Sequence, residues 1–517
     1  MTKQSFLKGA FILILAGLIT RILGFVNKIV VARIMGAEGV GLYMMAVPTL
    51  LLIIALTQLG LPVAISKLVA EADAVGDRLR IKRILVVSLT ITAVLSVIFT
   101  TVMVIGAPLI SKTLLTDARA FYPLVAISPI VPIVALSSVL RGYFQGLQNM
   151  KPTAYSQVIE QIVRITLVAT FTTALLPYGI EFAAAGAMIS VVIGELASLL
   201  FMIYQFKRKK RFKVRKQFFE HVKGGRSTLN NLLSIALPTT GSRLIGSVSF
   251  FFEPIVVAQS LAIAGVATAV ATAQYGELAG YVIPLLLLPT FITYSLSVSL
   301  VPAISEAASQ KNYATIHYRL DQALRLALVS GGGAAIVLYM FAEPIMSLMY
   351  NAPEVAAYVV IMAPFSIFLY FQGPLQAALQ ALSLAKAAMY NSLIGAVVKI
   401  AAIFVLASRP ELGIMGAALA IVTGFILVTL LHFATLAKTI SFTLDVKDFL
   451  KVIIAIAATG FVAHLVIVYI PLTGGLAIRT TLQIAITGFV YTILLFVLGL
   501  VKKDEARRIP FIGQYFN

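Results

Sequence analysis

The chain alternates between long apolar blocks and short polar connections. A helix needs about 20 apolar residues to cross the roughly 30 Å hydrocarbon core of a bilayer. The pattern therefore predicts an all-α polytopic membrane protein with about 14 transmembrane helices. We number the apolar blocks as segments 1 to 14, and they cover residues 9–32, 40–66, 84–110, 121–145, 153–176, 181–205, 229–259, 275–303, 322–346, 355–381, 387–407, 412–437, 448–470 and 477–501.

Composition supports the membrane class and narrows the chemistry. Of the 517 residues, 60% are hydrophobic and only 12% are charged, which is too little charge to cover a soluble protein of this length. The absence of cysteine excludes disulfides and thiolate metal sites, and the four histidines show no ligand spacing. The motifs of serine hydrolases, phosphate-binding loops and zinc proteases are also missing. We therefore expect a transporter rather than an enzyme, with no metal and no cofactor.

Basic residues set the expected orientation in the membrane. The net charge is +20, and the basic clusters lie in connections that follow even-numbered segments. The positive-inside rule places these connections, and with them both termini, in the cytoplasm of a multi-pass cell-membrane protein. Beside membrane helices they indicate contact with anionic lipids, and we expect no nucleic-acid partner. The clusters are residues 78–83, Lys151, residues 207–216, Lys438, Lys447, Lys451 and residues 502–508.

The long basic run at 207–216 separates two sets of six segments that look like repeats. The stretch around Arg21 matches the stretch around Arg243, and residues 140–164 match residues 375–399 with one constant offset. Gly186 and Gly194 likewise match Gly416 and Gly424. Such matches in the same order indicate an internal duplication.

The repeat predicts a domain organisation. Because six is an even number, both halves enter the membrane from the same side, which predicts two parallel six-helix bundles around a central cavity. Segments 13 and 14 lie outside the repeat as two extra C-terminal helices. The predicted domains are an N-terminal bundle (1–206), a basic linker (207–228), a C-terminal bundle (229–440), and two extra helices with a basic tail (441–517).

Ionisable residues deep in the apolar segments are the candidate site. A charge at the centre of a membrane helix costs at least roughly 2.5–3.5 kcal/mol, so such residues tend to serve function. Arg21 and Arg243 are repeat equivalents, and guanidinium groups bind phosphate oxygens bidentately. With Lys28 they form the predicted substrate-binding set, although each arginine could instead pair with a carboxylate. Glu253 and Glu277 are predicted to balance these charges or to bind a coupling cation or proton.

Other charged residues receive structural interpretations. Glu160 and Arg164 are spaced i, i+4 on one helical face, which favours a structural ion pair. Arg33 and Arg141 lie near predicted helix ends, where long side chains can snorkel, and we assign them no site.

Proline and glycine mark further positions within the helices. Pro48, Pro238, Pro284 and Pro289 interrupt the predicted helices of segments 2, 7 and 8 and are candidate hinges, because a membrane proline frees a carbonyl that must be satisfied nearby. Simple kinking is the alternative. The triplet Gly331–Gly333 within segment 9 indicates close helix packing.

Segment 1 carries a family resemblance. Its stretch Arg21-Ile-Leu-Gly-Phe-Val-Asn-Lys-Ile-Val-Val-Ala-Arg-Ile-Met-Gly36 resembles the polysaccharide and lipid II flippase branch of the multidrug/oligosaccharidyl-lipid/polysaccharide exporter superfamily. Residues 60–67, 140–146 and 371–382 resemble a sporulation group within that branch, and the resemblance covers essentially the whole chain.

The resemblance implies a function. We expect an alternating-access flippase that moves a lipid-linked saccharide, a peptidoglycan precursor, for spore cortex synthesis during sporulation. The location implied is the cell membrane and the membrane around the forespore. Cell-wall synthases are further candidate partners.

The chain also departs from the lipid II flippases. They carry Arg-x-x-Gly-Phe-x-Arg-Asp in the first helix, where this chain has Asn27 and Lys28 at the last two positions. Their arginines in the second and eighth helices fall at Leu50–Ile54 and near Glu277. Arg21 alone carries over, and Lys28 and Arg243 would replace the lost charge. Two alternatives stay open: a cation-coupled small-molecule (multidrug) antiporter, and a non-transporting membrane scaffold for cell-wall synthases.

Overall fold

The regular elements of the protein are helices. The computed structural model describes residues 6–209, 225–444, 446–469 and 474–500, and within these helices it leaves undescribed the side chains of residues 6–14, 209, 238, 239 and 241–243. No strand occurs in the described ranges. This agrees with the predicted all-α class, because in hydrocarbon a helix satisfies its own backbone hydrogen bonds. Most of the basic linker and all of the basic tail lie outside the described residues.

Twelve described helical stretches are long and apolar enough to cross a membrane, or thirteen if the bent pair Pro353–Met362 and Ser366–Ala381 is one span. The first stretch, Leu15–Ala74, has 60 residues and would be about 90 Å long if straight. Its backbone leaves the helical region at Gly36, where φ is 66°. Because a bilayer is far thinner, we divide this stretch into two spans there. That division brings the described spans to the predicted fourteen.

The described residues form two compact units, of which unit 1 covers residues 1–281 and 407–414. Unit 1 extends past residue 206 because the helices of segments 7 and 8 pack against the first helices. The predicted domains at 1–206 and 229–440 describe the repeat and stay a prediction. The α-helices of unit 1 are α1 (Phe6–Gln58), α2 (Leu61–Ala74), α3 (Arg78–Leu109), α4 (Phe121–Ile127), α5 (Ile130–Gly146), α6 (Lys151–Leu175), α7 (Ile180–Lys209), α8 (Arg226–Ile263) and α9 (Thr268–Gly276).

Small residues let the helices of unit 1 approach closely. A Cβ at Gly41 of α1 would overlap the carbonyl of Thr272 in α9, and one at Gly276 would overlap the carbonyl of Ala37. A Cβ at Gly146 of α5 would lie 2.7 Å from the Ser66 carbonyl of α2. Such approach is the usual means of helix association in a membrane, where lipid tails weaken any hydrophobic drive.

Unit 2 covers residues 282–406 and 415–517. Its core is a cluster of buried residues that includes Leu300, Ile304, Leu320 and Leu379. The α-helices of unit 2 are α10 (Ile283–Leu287), α11 (Thr290–Ser309), α12 (Tyr313–Met340), α13 (Ala342–Tyr350), α14 (Ala356–Met362), α15 (Ser366–Ala381), α16 (Ala385–Ala407), α17 (Gly413–Ile440), α18 (Val446–Tyr469) and α19 (Leu476–Val497).

The triplet Gly331–Gly333 of α12 lies in close helix contacts, as predicted. A Cβ at Gly331 would overlap the ring of Tyr370 in α15. A Cβ at Gly332 would lie 2.6 Å from Ile456 Cδ1 in α18, and one at Gly333 would lie 2.8 Å from the ring of Tyr491 in α19. Three consecutive glycines therefore bring three different helices against α12.

A buried arginine anchors the two C-terminal helices to α12. Arg325 is 3% exposed, and its Nη1 donates a hydrogen bond of 2.8 Å to the carbonyl of Leu500, just after α19. The same nitrogen lies 3.9 Å from Asp448 Oδ2 in α18. These contacts make α18 and α19 an integral part of unit 2 rather than a loose appendage.

Gly331→Ala tests the packing of this triplet. The added Cβ meets Tyr370, whose hydroxyl is held by a 3.0 Å hydrogen bond to the Leu286 carbonyl. We expect a loss of roughly 1–3 kcal/mol in unfolding free energy, measured as thermal unfolding of the purified protein. Gly460→Ala is the matched control, because its Cβ meets nothing within 4 Å. An equal loss in both variants would contradict the packing role.

Candidate functional site

Two arginines and two glutamates form an ion-pair network among the membrane helices of unit 1. Arg141 Nη2 lies 2.8 Å from Glu195 Oε1 and 3.8 Å from Glu160 Oε2. Arg164 Nη2 lies 2.5 Å from Glu160 Oε1, which confirms the predicted i, i+4 pair. The side chains are between 5% and 21% exposed, and their formal charges cancel. Pairing of this kind offsets part of the cost of holding ionised groups in a membrane.

The network is assembled by α5, α6 and α7. Gly194 on α7 lets that helix approach α6, since a Cβ there would lie 2.9 Å from the Glu160 carbonyl and 3.3 Å from Arg164 Cβ. The repeat equivalent Gly424 has the same relation to Lys399 in unit 2, with a Cβ distance of 3.3 Å. The glycine therefore serves one purpose in both halves of the sequence.

Several polar atoms of the network have no hydrogen-bond partner within the described residues. They are the Nε atoms of Arg141 and Arg164 and Oε1 of the neighbouring Gln161, all buried. A buried donor or acceptor without a partner costs roughly 1–3 kcal/mol, so these three atoms reduce the net stabilisation that the network provides.

A small cavity lies beside the network along α1. Asn27, Lys28 and Tyr43 line it together with Gly280, and its volume is about 10 Å³. Asn27 is 6% exposed, and its Oδ1 has no partner within the described residues. A cavity of this size holds about one water molecule.

The predicted substrate-binding residues are only partly described. Lys28 lines the cavity on α1, and Arg21 is exposed one and a half to two turns earlier on the same helix. The side chains of Arg243 and Pro238 lie outside the described residues. The predicted pairing of Arg21 with Arg243 at one phosphate site therefore stays a prediction.

Glu253 and Glu277 lie on neighbouring helical stretches of unit 1. Glu253 is 5% exposed in α8 and close enough to Tyr275 of α9 for its charge to act on the phenol. Glu277 begins the π-helical stretch Glu277–Val282. π-helical turns are rare in proteins, and many of those that occur lie at functional sites. The predicted coupling role of both glutamates is left as a prediction.

A second polar cluster lies at the opposite face from the basic connections. Arg119 contacts Asp117 at 2.9 Å and Glu38 at 2.5 Å, and Thr272 of α9 donates a 2.8 Å hydrogen bond to Asp117. Beside them, Gln259 Nε2 donates to the Thr113 carbonyl at 2.8 Å. This Asp117 cluster joins the connection between segments 3 and 4 to α9, which leads into segment 8.

The Asp117 cluster keeps its carboxylate ionised. Burial raises the pKa of Asp117, but hydrogen bonds from the Arg119 side chain, the Thr272 hydroxyl and the Arg119 backbone N–H lower it, as does the Arg119 charge. The net effect is a pKa below the ordinary value of 3.8. A lowered carboxyl pKa stabilises the folded protein at neutral pH. This stabilisation is lost as the pH falls below the ordinary value and through the lowered pKa.

With this geometry defined, comparisons with known proteins place the chain in a family. A family model described as polysaccharide biosynthesis protein matches residues 6–308, and the MatE model matches residues 254–405. Stage V sporulation protein B of Bacillus subtilis (strain 168) is 59% identical over 514 residues, which cover 99% of each chain. The chain belongs to this family of polysaccharide biosynthesis proteins, on the branch of stage V sporulation protein B.

One more distant relative is a flippase. The lipid II flippase MurJ of Bacillus subtilis (strain 168) is 26% identical over 550 residues, covering 98% of each chain. A solved structure, lipid II flippase MurJ in the inward closed conformation, aligns with TM-score 0.70 at 18% identity and covers 94% of this chain and 98% of that chain. The fold of the polysaccharide biosynthesis family member described here is thus that of membrane transporters.

Against this family background, two predictions from the sequence need correction. Arg141 does not snorkel from a helix end, because Glu195 on α7 is near enough to pair with it inside the helices. Pro48 does not interrupt its helix, which runs on to Gln58. The break falls instead at Leu59 and Gly60, which both have positive φ. Pro284 and Pro289 do lie at helix breaks, and their action as hinges stays a prediction.

Asp117→Asn tests the Asp117 cluster. The chain has no cysteine, so a Thr113→Cys/Gln259→Cys pair reports the contact through disulfide cross-linking. We expect Asp117→Asn to lower the cross-linked fraction at neutral pH, because Arg119 loses one of its two carboxylate partners and a charged hydrogen bond is worth roughly 1.5–3 kcal/mol.

Glu71→Gln provides the control for this measurement, because it breaks the exposed Arg80–Glu71 pair at 3.2 Å. Its cross-linked fraction should equal that of the parent. A fraction that is unchanged in Asp117→Asn would contradict the role of the cluster.

Proposed function

We propose that the protein is an alternating-access flippase that moves a lipid-linked saccharide, a peptidoglycan precursor, across the membrane. We further propose that it serves spore cortex synthesis in the cell membrane and the membrane around the forespore, with both termini in the cytoplasm. The similarity to a sporulation protein and to a lipid II flippase supports this cargo. Anionic lipids and cell-wall synthases are the further partners we propose.

The observation that carries the proposal is an apolar cavity within unit 2. It has a volume of about 490 Å³ and lies among α10 to α12, α18 and α19. Its walls include Leu288, Ile292, Val337 and Gly488. This volume falls in the range of ligand sites, and an apolar lining suits a hydrocarbon chain. The C-terminal helices that Arg325 anchors therefore give the protein a place for part of a polyprenyl tail.

The head of such a substrate requires positive charge near the membrane helices. Arg21, Lys28 and Arg243 supply it, and a pyrophosphate is the anionic group that two guanidinium forks suit. The transported group must also leave on the opposite side, so contacts at one face have to break during the cycle. The Asp117 cluster joins two polar connections to α9 at such a face.

Gly488→Phe tests whether the apolar cavity holds a lipid chain. A side chain there points into open space, because no atom lies within 4 Å of its Cβ, and so it fills the cavity without distorting the fold. Displacing about two methylene groups costs about 1.6 kcal/mol, which is roughly a tenfold loss. The measurement is translocation of a labelled polyprenyl-pyrophosphate saccharide in proteoliposomes.

Gly460→Phe is the control, because its Cβ also meets nothing within 4 Å while the residue does not line the cavity. It should translocate at the parent rate. Equal rates in Gly488→Phe and Gly460→Phe would contradict a lipid-chain site.

Charge-neutral variants test the predicted phosphate site. Arg21→Gln and Arg243→Gln should each slow precursor translocation and weaken complementation of cortex synthesis, and the double variant should do so more. The reason is the loss of a bidentate contact to phosphate, which Gln cannot make. Normal function of both single variants and the double variant at matched expression would contradict the cavity-arginine hypothesis.

The multidrug antiporter is the second candidate. The MatE match to residues 254–405 favours it. However, cationic drugs require acidic groups in the binding site, and Glu160 and Glu195 are already held by arginines. Efflux of a cationic dye without precursor translocation would support the antiporter, and cortex complementation by a translocation-dead variant would support the scaffold.

A further inference from the structure

We propose that Glu160 and Glu195 together form the proton-binding site that couples transport to a proton gradient. This inference rests on the proposed function and adds the coupling ion to it. The site differs from Glu253 and Glu277, which the sequence made the first candidates.

The two carboxyl groups meet on neighbouring helices. Arg141 Nη2 lies 2.8 Å from Glu195 of α7 and 3.8 Å from Glu160 of α6, and the two carboxyl groups are close enough to act on each other. Their side chains are 13% and 5% exposed. Two buried carboxylates in contact can share one proton, because a carboxylic acid donates to the remaining carboxylate. The bound proton forms one O–H bond on Glu160 and breaks no other covalent bond.

The surrounding charges suit a proton better than a metal cation. A metal ion needs several oxygen ligands around it. Here the Arg141 guanidinium approaches Glu195 at 2.8 Å, and the Arg164 guanidinium approaches Glu160 at 2.5 Å. A metal ion would have to displace both guanidinium groups from the carboxylate oxygens that they occupy, whereas a proton needs only one carboxylate oxygen.

Protonation would be transmitted to α1. The titratable and charged groups close to Glu160 are Arg141 on α5, Arg164 on α6 itself and Glu195 on α7. The Arg164 charge in turn acts on Tyr43 of α1, which lines the α1 cavity with Lys28. When Glu160 takes up a proton, Arg164 loses its anionic partner. Its charge, which already acts on Tyr43, then adds to the positive charge of Lys28 beside the α1 cavity. The helix that carries the predicted substrate-binding residues therefore senses the protonation state.

Only the first half of the sequence repeat has this pair of glutamates. The offset that aligns residues 140–164 with residues 375–399 places Gly395 opposite Glu160, and the match of Gly194 with Gly424 places Phe425 opposite Glu195. Lys399 corresponds to Arg164, so the second half keeps a basic residue and has neither glutamate. Coupling in the proposed cycle thus involves one carboxyl pair.

Infrared spectroscopy tests proton binding without any substrate. We expect the full-length protein in lipid to show a protonated-carboxyl C=O band that grows as the pH falls towards about pH 5, a range in which exposed carboxyl groups stay ionised. Glu160→Gln and Glu195→Gln should remove this band, whereas Glu71→Gln, which breaks the exposed pair with Arg80, should retain it. A wild-type protein without a pH-dependent band would overturn the proposal, and so would a band that survives in both variants.

Transport under a pH gradient provides the second readout. With labelled polyprenyl-pyrophosphate saccharide in proteoliposomes at zero membrane potential, one proton per substrate turns a gradient of about one pH unit into about a tenfold concentration ratio. Glu160→Gln, which mimics the protonated group, should abolish this ratio, and Glu160→Asp should restore part of it. A ratio that persists in Glu160→Gln, or that is lost only in Glu253→Gln or Glu277→Gln, would overturn the proposal.

The two readouts separate the possible failures. A wild-type protein that translocates no saccharide but shows the Glu160-dependent band contradicts the proposed function and supports the proton site. Translocation with no such band contradicts the proton site and leaves the proposed function standing. If a Gln variant fails to fold, the wild-type band and the response of Glu160→Asp to the pH gradient still test the proton site.

Discussion

Charge pairing inside an apolar environment is the constraint on which the rest of unit 1 depends. An unpaired buried charge is far more costly than a paired one, and removal of one partner from a buried pair typically costs roughly 3–5 kcal/mol. Arg141, Glu160, Arg164 and Glu195 meet this constraint together, across α5, α6 and α7. The helices that carry them must therefore keep their register, and Gly194 gives α7 the close approach that the register needs.

In unit 2, close helix packing depends mainly on glycine. Gly331–Gly333 bring α15, α18 and α19 against α12, and Arg325 fixes the end of α19 at Leu500. These contacts hold two helices outside the sequence repeat in a defined place. The contact between Gly333 and Tyr491 also lies in the wall of the 490 Å³ apolar cavity, which links the packing of the C-terminal helices to the cargo we propose.

Local patterns in the sequence predicted the features that are set by neighbouring residues along the chain. Apolar block length predicted the spans, because the bilayer thickness sets it. Helical spacing predicted the Glu160–Arg164 pair, and glycine content predicted the packing at residues 331–333. The Arg141–Glu195 pair joins residues 54 positions apart, and the Thr272–Asp117 hydrogen bond spans 155 positions. Such contacts depend on how the helices pack, so they cannot be predicted from residue spacing within a single sequence. The break at Leu59 and Gly60 rather than at Pro48 likewise reflects a helix that packing keeps intact.

The central claim, that this family member moves lipid-linked saccharide across a membrane, is tested most directly by the precursor pool in sporulating cells that lack the protein. The measurement is the amount of lipid-linked precursor in each leaflet, determined by labelling that reaches only one side. The account predicts that precursor accumulates in the inner leaflet. An empty pool would place the protein upstream of precursor synthesis, and a normal distribution between leaflets would show that another protein moves it. Either result would contradict the account.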